Sequence, residues 1–168
     1  FTQVVHAAEG HIFNNRLTHT LKVAQIGQRI AEHLIANEPA DLIDAVGGID
    51  PDVVETAALA HDLGHPPFGH IAEHELDRLL IDMKVPDGFE GNPQSFSIVT
   101  KVAIRSPNPR GLNLTRASLN AILKYPWDRT VAGKESKKWG YYYSEKEDFT
   151  FARALNPKSD CHQSAEAA

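Results

Sequence analysis

The first sustained hydrophobic periodicity in the chain lies between residues 15 and 37. There His19, Val23, Ile26 and Ile30 recur at i, i+4, i+7 and i+11, the spacing of one helix face. The pattern predicts an amphipathic helix whose inward stripe carries a histidine. Gly27 weakens that helix, which suits a point where another helix comes close. Residues 38–48 hold Pro39, Gly47 and Gly48 and read as a turn or an irregular helix pair. Asp50-Pro51-Asp52 is a helix start: an aspartate cap, proline in the first position and an acid in the first turn. Val54, Ala57, Ala58 and His61 share a face of this second helix, and its alanines admit a close neighbour, for which the helix carrying His19 is the candidate. Gly64 and Pro66 end it.

A third helix is predicted from His70, with Leu76, Leu79 and Leu80 on its buried side. Residues 82–91 read as a loop, and Asn92-Pro93 as the next helix start with Asn92 as its cap. Residues 95–105 read as a helix with Phe96, Val99, Val102 and Ala103 apolar, broken by Pro107 and Pro109. Thr115 caps a further helix containing Leu119, Ile122 and Leu123, which Pro126 ends. Residues 127–160 form a charged, aromatic, loop-rich excursion. Within it Lys134, Lys137 and Lys138 stand beside Trp139 and Tyr141–Tyr143, and the stretch reads as a surface segment with packed aromatics rather than a nucleotide contact. No alternating strand run is convincing. The expected fold is all-α, in a single domain over residues 1–168.

Composition narrows the class without changing this picture. With 42% hydrophobic and 23% charged residues, the chain suits an ordinary globular domain able to bury one core. A formal net charge of −5 argues against a general nucleic-acid-binding surface but leaves room for a local anion pocket. The one cysteine cannot form an internal disulfide, so a reducing, cytoplasmic setting is expected. No apolar run of transmembrane length occurs, and no signal-peptide pattern is read. Both ends look cut, as in a piece of a longer protein.

The chemistry concentrates in residues 61–73. Three histidines, His61, His65 and His70, and two acids, Asp62 and Glu73, fall there with two prolines and two glycines between them. His61 and Asp62 are adjacent at a predicted helix end, where both can reach one cation. Imidazole plus carboxylate suits Zn, Mn, Fe or Co better than Ca. Taken alone, His19 reads more readily as a core histidine bonded to a carbonyl; beside His61 and Asp62, the reading as a third ligand prevails, supplied if its helix crosses this one. His70 and Glu73 are i, i+3, so a carboxylate can orient the imidazole for acid–base work. His70-Ile71-Ala72-Glu73-His74 also spells an inverted zinc-peptidase motif, but that reading leaves His19, His61 and Asp62 unexplained.

Four segments in order resemble the deoxyguanosine-triphosphate triphosphohydrolase branch of the HD-domain phosphohydrolases. They are Asn15-Arg16-Leu17-Thr18-His19-Thr20-Leu21, His61-Asp62-Leu63-Gly64-His65-Pro66-Pro67-Phe68-Gly69-His70, Glu90-Gly91-Asn92-Pro93-Gln94 and Gly111-Leu112-Asn113-Leu114-Thr115. The resemblance implies a helical HD bundle. It implies His19, His61 and Asp62 as metal ligands, with a fourth ligand, an Asp, beyond residue 168. The divalent ion would be Mn, Mg, Fe, Co or Zn. It gives catalytic roles to His70 and Glu73, phosphate contacts to Arg16 and His65, and a sugar contact to Gln3. Some relatives carry a histidine before the Glu90 position; here it is Phe89, so no role carries over. The implied reaction splits a deoxynucleoside triphosphate (dNTP) into deoxynucleoside and inorganic triphosphate. The implied protein is a homo-oligomer open to dNTP or single-stranded DNA effectors and has no membrane partner. Two alternatives stay open: another HD phosphohydrolase, such as a nucleotidase or cyclic-nucleotide phosphodiesterase, and an inactive HD scaffold that regulates by binding nucleotide or DNA. Lacking the fourth ligand, the isolated segment is expected to bind metal weakly.

Overall fold

A computed structural model of the chain describes residues 15–105, 111–132 and 138–154. Helices account for the regular structure, in the order α1 (Arg16–Asn37), α2 (Ala40–Ala45), α3 (Pro51–Ala60), α4 (Gly69–Asp82), α5 (Gly91–Ser97), α6 (Arg116–Ile122), α7 (Arg129–Ala132) and α8 (Lys146–Arg153). A π-helical turn, Ile98–Val102, continues α5, and a 3-10 turn, Tyr143–Glu145, leads into α8. Among the described residues there is no strand, and the fold is all-α, as the periodicity predicts. No helix is long and apolar enough to cross a membrane among the residues described.

The long helices start where the sequence places caps. Asn15 and Thr18 form a capping box: the Asn15 side chain accepts from the Thr18 amide at 2.9 Å, and the Thr18 hydroxyl accepts from the Asn15 amide at 3.0 Å. Asp50 caps α3 by accepting from the Asp52 amide at 2.9 Å, with Pro51 in the first turn. Thr115 caps α6 through the Ser118 amide at 3.2 Å. Asn92 is not a cap. Glu90 is, and its carboxylate accepts from both the Asn92 backbone amide and the Asn92 side chain, each at 2.8 Å.

Helix α1 packs chiefly on α3, which in turn packs on α6, and α6 on α8. The α1–α3 approach uses small residues. Ala24 and Ala31 are the buried positions of α1, and a methyl group at Gly27 would stand 3.2 Å from Val54 Cγ1 and 3.9 Å from Ala58 Cβ. This corrects the expected stripe. Of the stripe His19, Val23, Ile26 and Ile30, the two isoleucines are exposed, and His19 and Val23 are half-buried at the edge of the contact. The close contact belongs to the small residues, because bulky side chains would hold the two helices apart. Helix α4 departs in a similar way. It turns Glu73 inward, leaves Leu76 and Leu79 exposed and half-buries Leu80. The core lies between α3, α5, α6 and α8, where Ala60, Phe96, Val99, Leu119, Leu123, Tyr141 and Ala152 come together. Part of the excursion is therefore structural. Tyr141 stacks on Phe149 at 4.1 Å, Trp139 is buried, and α8 gives the segment a helical end.

Candidate metal centre

Helix α3 ends in a tight turn through residues 61–64, in which the Leu63 amide donates to the Ala60 carbonyl at 3.2 Å. The turn is held from below by α5. Ser95 accepts from the Gly64 amide at 2.9 Å and donates to the Gly91 carbonyl at 3.0 Å and toward the His61 carbonyl at 3.4 Å. Gly64 is buried so tightly that a side chain there would press into the backbone of Gly91, Gln94 and Ser95. Gly64→Ala is therefore expected to lower folding stability by about 3 kcal/mol, measured as a shift of the urea midpoint.

This turn and the first two turns of α1 gather three ligand-type side chains. His61 Nε2 lies 3.1 Å and His19 Nε2 3.8 Å from Asp62 Oδ2, and the two imidazole rings meet edge-on at 5.5 Å. One donor atom from each of His19, His61 and Asp62 falls within 4.8 Å of the others. The donor set fits a divalent ion of the first transition row. The tautomer fits too. His61 Nδ1 donates to the Ala58 carbonyl at 2.6 Å, so Nε2, on the side of Asp62, is the nitrogen that can bind a cation once its proton is lost. The hydrogen bond to Asp62 raises the His61 imidazole above its ordinary value, and the same bond from His61 lowers the Asp62 carboxyl.

The loop after the turn carries the other predicted groups. Arg16 donates from Nη2 to the His65 carbonyl at 2.7 Å, so α1 holds its guanidinium against this loop. His65 Nδ1 is buried 3.5 Å from Asp62 Oδ1. Burial pushes its imidazole below the ordinary value, which makes it a neutral hydrogen-bonding group rather than a resident cation. Its ring lies against Gly91, where an added methyl group would come within 2.6 Å of Cδ2. Gln3 lies outside the described residues.

His70 and Glu73 meet as their spacing predicts, with Nδ1 donating to Oε2 at 2.8 Å. The His70 side chain is exposed, and Glu73 is buried. The other Glu73 oxygen accepts from the Gly91 amide at 2.8 Å. Burial alone would raise this carboxyl, but the bonds from His70 and Gly91 and the nearby Lys138 charge hold it down at about 2. Glu90, buried beside it, is shifted up by burial. Sequence reasoning missed Glu90 and Lys138 here. Glu90 stands in the sequence only within a segment that carries the resemblance, with no role attached, and nothing in a run of lysines marks the one that turns inward.

A His–His–Asp cluster where two helices cross, beside an exposed imidazole held by a buried carboxylate, is an arrangement that could hold a divalent metal on a helical scaffold. Residues 16–133 match the HD domain, and the chain belongs to that family of metal-binding phosphohydrolases. It is similar to proteins named deoxyguanosinetriphosphate triphosphohydrolase-like. It is 41% identical to one from Bifidobacterium longum over 94% of this chain and 32% of that protein. It is 41% identical to one from Streptomyces coelicolor over 93% and 35%, and 44% identical to one from Wolinella succinogenes over 77% and 32%. The chain thus spans about a third of the length of these curated relatives.

Proposed function

We propose that the chain carries the metal ligands and the acid–base pair of a dNTP triphosphohydrolase. The observation that carries this reading is the convergence of His19, His61 and Asp62 at one point, with the His70–Glu73 pair on the loop and helix that follow. Relatives bearing the triphosphohydrolase-like name support the choice of reaction. His19, His61 and Asp62 would hold a divalent ion, which supplies charge to an α-phosphate and its nucleophile.

The chain's own residues do the rest. Glu73 accepts from His70 Nδ1 and so leaves Nε2 of the exposed ring to take or give a proton at the substrate. Arg16, pinned beside the His65 loop, places positive charge where a polyphosphate would lie, and its planar fork suits phosphate oxygens. His65 adds a neutral hydrogen bond. Phosphoryl-type transfers depend mainly on such positioning and charge.

The test is product identity. The full-length protein is incubated with each dNTP and Mn²⁺ or Mg²⁺, and the phosphorus product is identified. Inorganic triphosphate with free deoxynucleoside is expected. Orthophosphate or pyrophosphate would keep the HD hydrolase and reject this branch. Metal bound without turnover would favour a regulatory scaffold.

A further inference from the structure

The proposed reaction leaves one half-buried ammonium unused. Lys138 enters from the excursion and places its ammonium between two carboxylates, 2.7 Å from Glu90 Oε1 and 3.2 and 3.4 Å from the two Glu73 oxygens. Both acids are almost wholly buried, Glu73 at 4% and Glu90 at 3% exposure. Two carboxylates enclosed together cannot both stay ionised, and held in place, without a cation between them.

Together with His65, the two acids offer donor atoms within 4.8 Å of one another, as a second metal centre would. The chain fills that place with its own ammonium. The lysine is set there by its neighbours. Trp127 Nε1 donates to the Lys138 carbonyl at 2.9 Å, and the Gly140 amide donates to the Trp127 carbonyl at 3.0 Å. Trp139 is buried beneath the Arg129 guanidinium, whose carbon lies 4.7 Å from the ring centre. Arg129 in turn forms a bidentate pair with Asp77 on α4, one turn after Glu73.

We propose that Lys138 is a positioning residue for the His70–Glu73 pair: its ammonium, held between Glu73 and Glu90, keeps Glu73 turned toward His70. Glu73 Oε2 faces both His70 Nδ1 and the ammonium, so the carboxylate that orients the imidazole is itself oriented by a residue 65 positions along the chain. Without the ammonium, the two acids either part or share a proton, and in both cases Glu73 is drawn from its bond to His70. The inference rests on the functional reading above for its catalytic consequence, though not for the geometry.

The test compares Lys138→Met, Lys138→Arg, Glu90→Gln and the double variant Lys138→Met/Glu90→Gln in the full-length protein. Lys138→Met is expected to lower kcat about a hundredfold, the scale of a misplaced catalytic group, with KM within about threefold of wild type. Lys138→Arg should retain part of the rate. The double variant should recover most of the loss, because removing one carboxylate removes the need for the cation. A raised KM with unchanged kcat would make Lys138 a substrate contact and overturn the proposal. So would a double variant no better than Lys138→Met, which would reduce the lysine to packing. If Lys138→Met alone does not fold, a folded double variant supports the charge balance and an unfolded one refutes it. A crystal structure of a folded Lys138 variant gives a readout that needs no substrate. Lys138→Met, or the Arg variant for a partial change, should move Glu73 beyond hydrogen-bond reach of His70, past about 3.5 Å. An unmoved pair overturns the proposal even if the wild-type protein releases no triphosphate, a result that by itself rejects only the functional reading.

Discussion

Replacing His61 with alanine is expected to abolish metal binding and turnover together. The substitution removes the Nε2 donor nearest Asp62 and leaves His19 and Asp62 as a pair 3.8 Å apart. It also removes the bond to the Ala58 carbonyl, which fixes the ring's tautomer. Losing a partner that merely orients a ligand lowers metal affinity by about 10–100-fold, so losing the ligand should exceed about a hundredfold. Metal content of the purified full-length protein, measured alongside turnover, checks both halves. Normal metal content in the variant would remove His61 from the ligand set.

His70→Ala is expected to separate the two properties. The ring is exposed, hydrogen-bonds Glu73 and contributes no donor atom to the cluster of His19, His61 and Asp62. Its removal should leave metal content close to wild type and lower kcat by about 10²–10⁴-fold, the usual worth of a general acid or base. Stability should change little, because the side chain is largely in solvent. The contrast between the variants is the informative part: equal metal loss in both would refute the division of labour, whatever the rates.

The parts legible in sequence were those governed by local rules. The bounds of α1, the caps at Asp50 and Thr115, and the His70–Glu73 contact follow from spacing and cap chemistry. The convergence of His19 on His61 and Asp62 was legible as a possibility because the alanines of α3 and Gly27 of α1 mark a close crossing. What was not legible depended on distant partners. Asn92 before Pro93 is the better cap by local preference, but Glu90 takes the role, its carboxylate held in place by Lys138. The outward side of α1 could not be read from periodicity. That side and the true contact face are both compatible with helical spacing, and residue size decides between them only once a neighbour is present. The π-helical turn at Ile98–Val102 has no counterpart in the pattern of Val99, Val102 and Ala103. There the Ala103 amide reaches back to the Ile98 carbonyl at 2.8 Å, and the Leu112 amide takes the Val99 carbonyl at 2.8 Å.

Gly27 sets a dimension of the site without touching it. It lies eight residues from His19, about 12 Å along α1 at the helical rise, and the 3.2 Å at which a methyl group there would meet Val54 Cγ1 gauges how closely the two helices approach. A larger residue there would act as a wedge near the fulcrum of the crossing, and the displacement would be felt at the far end of the lever, where His19 faces Asp62. The bite of the ligands can thus be adjusted from a position that holds no ligand, so residue 27 is where an engineer would turn the screw to retune which ion the protein prefers.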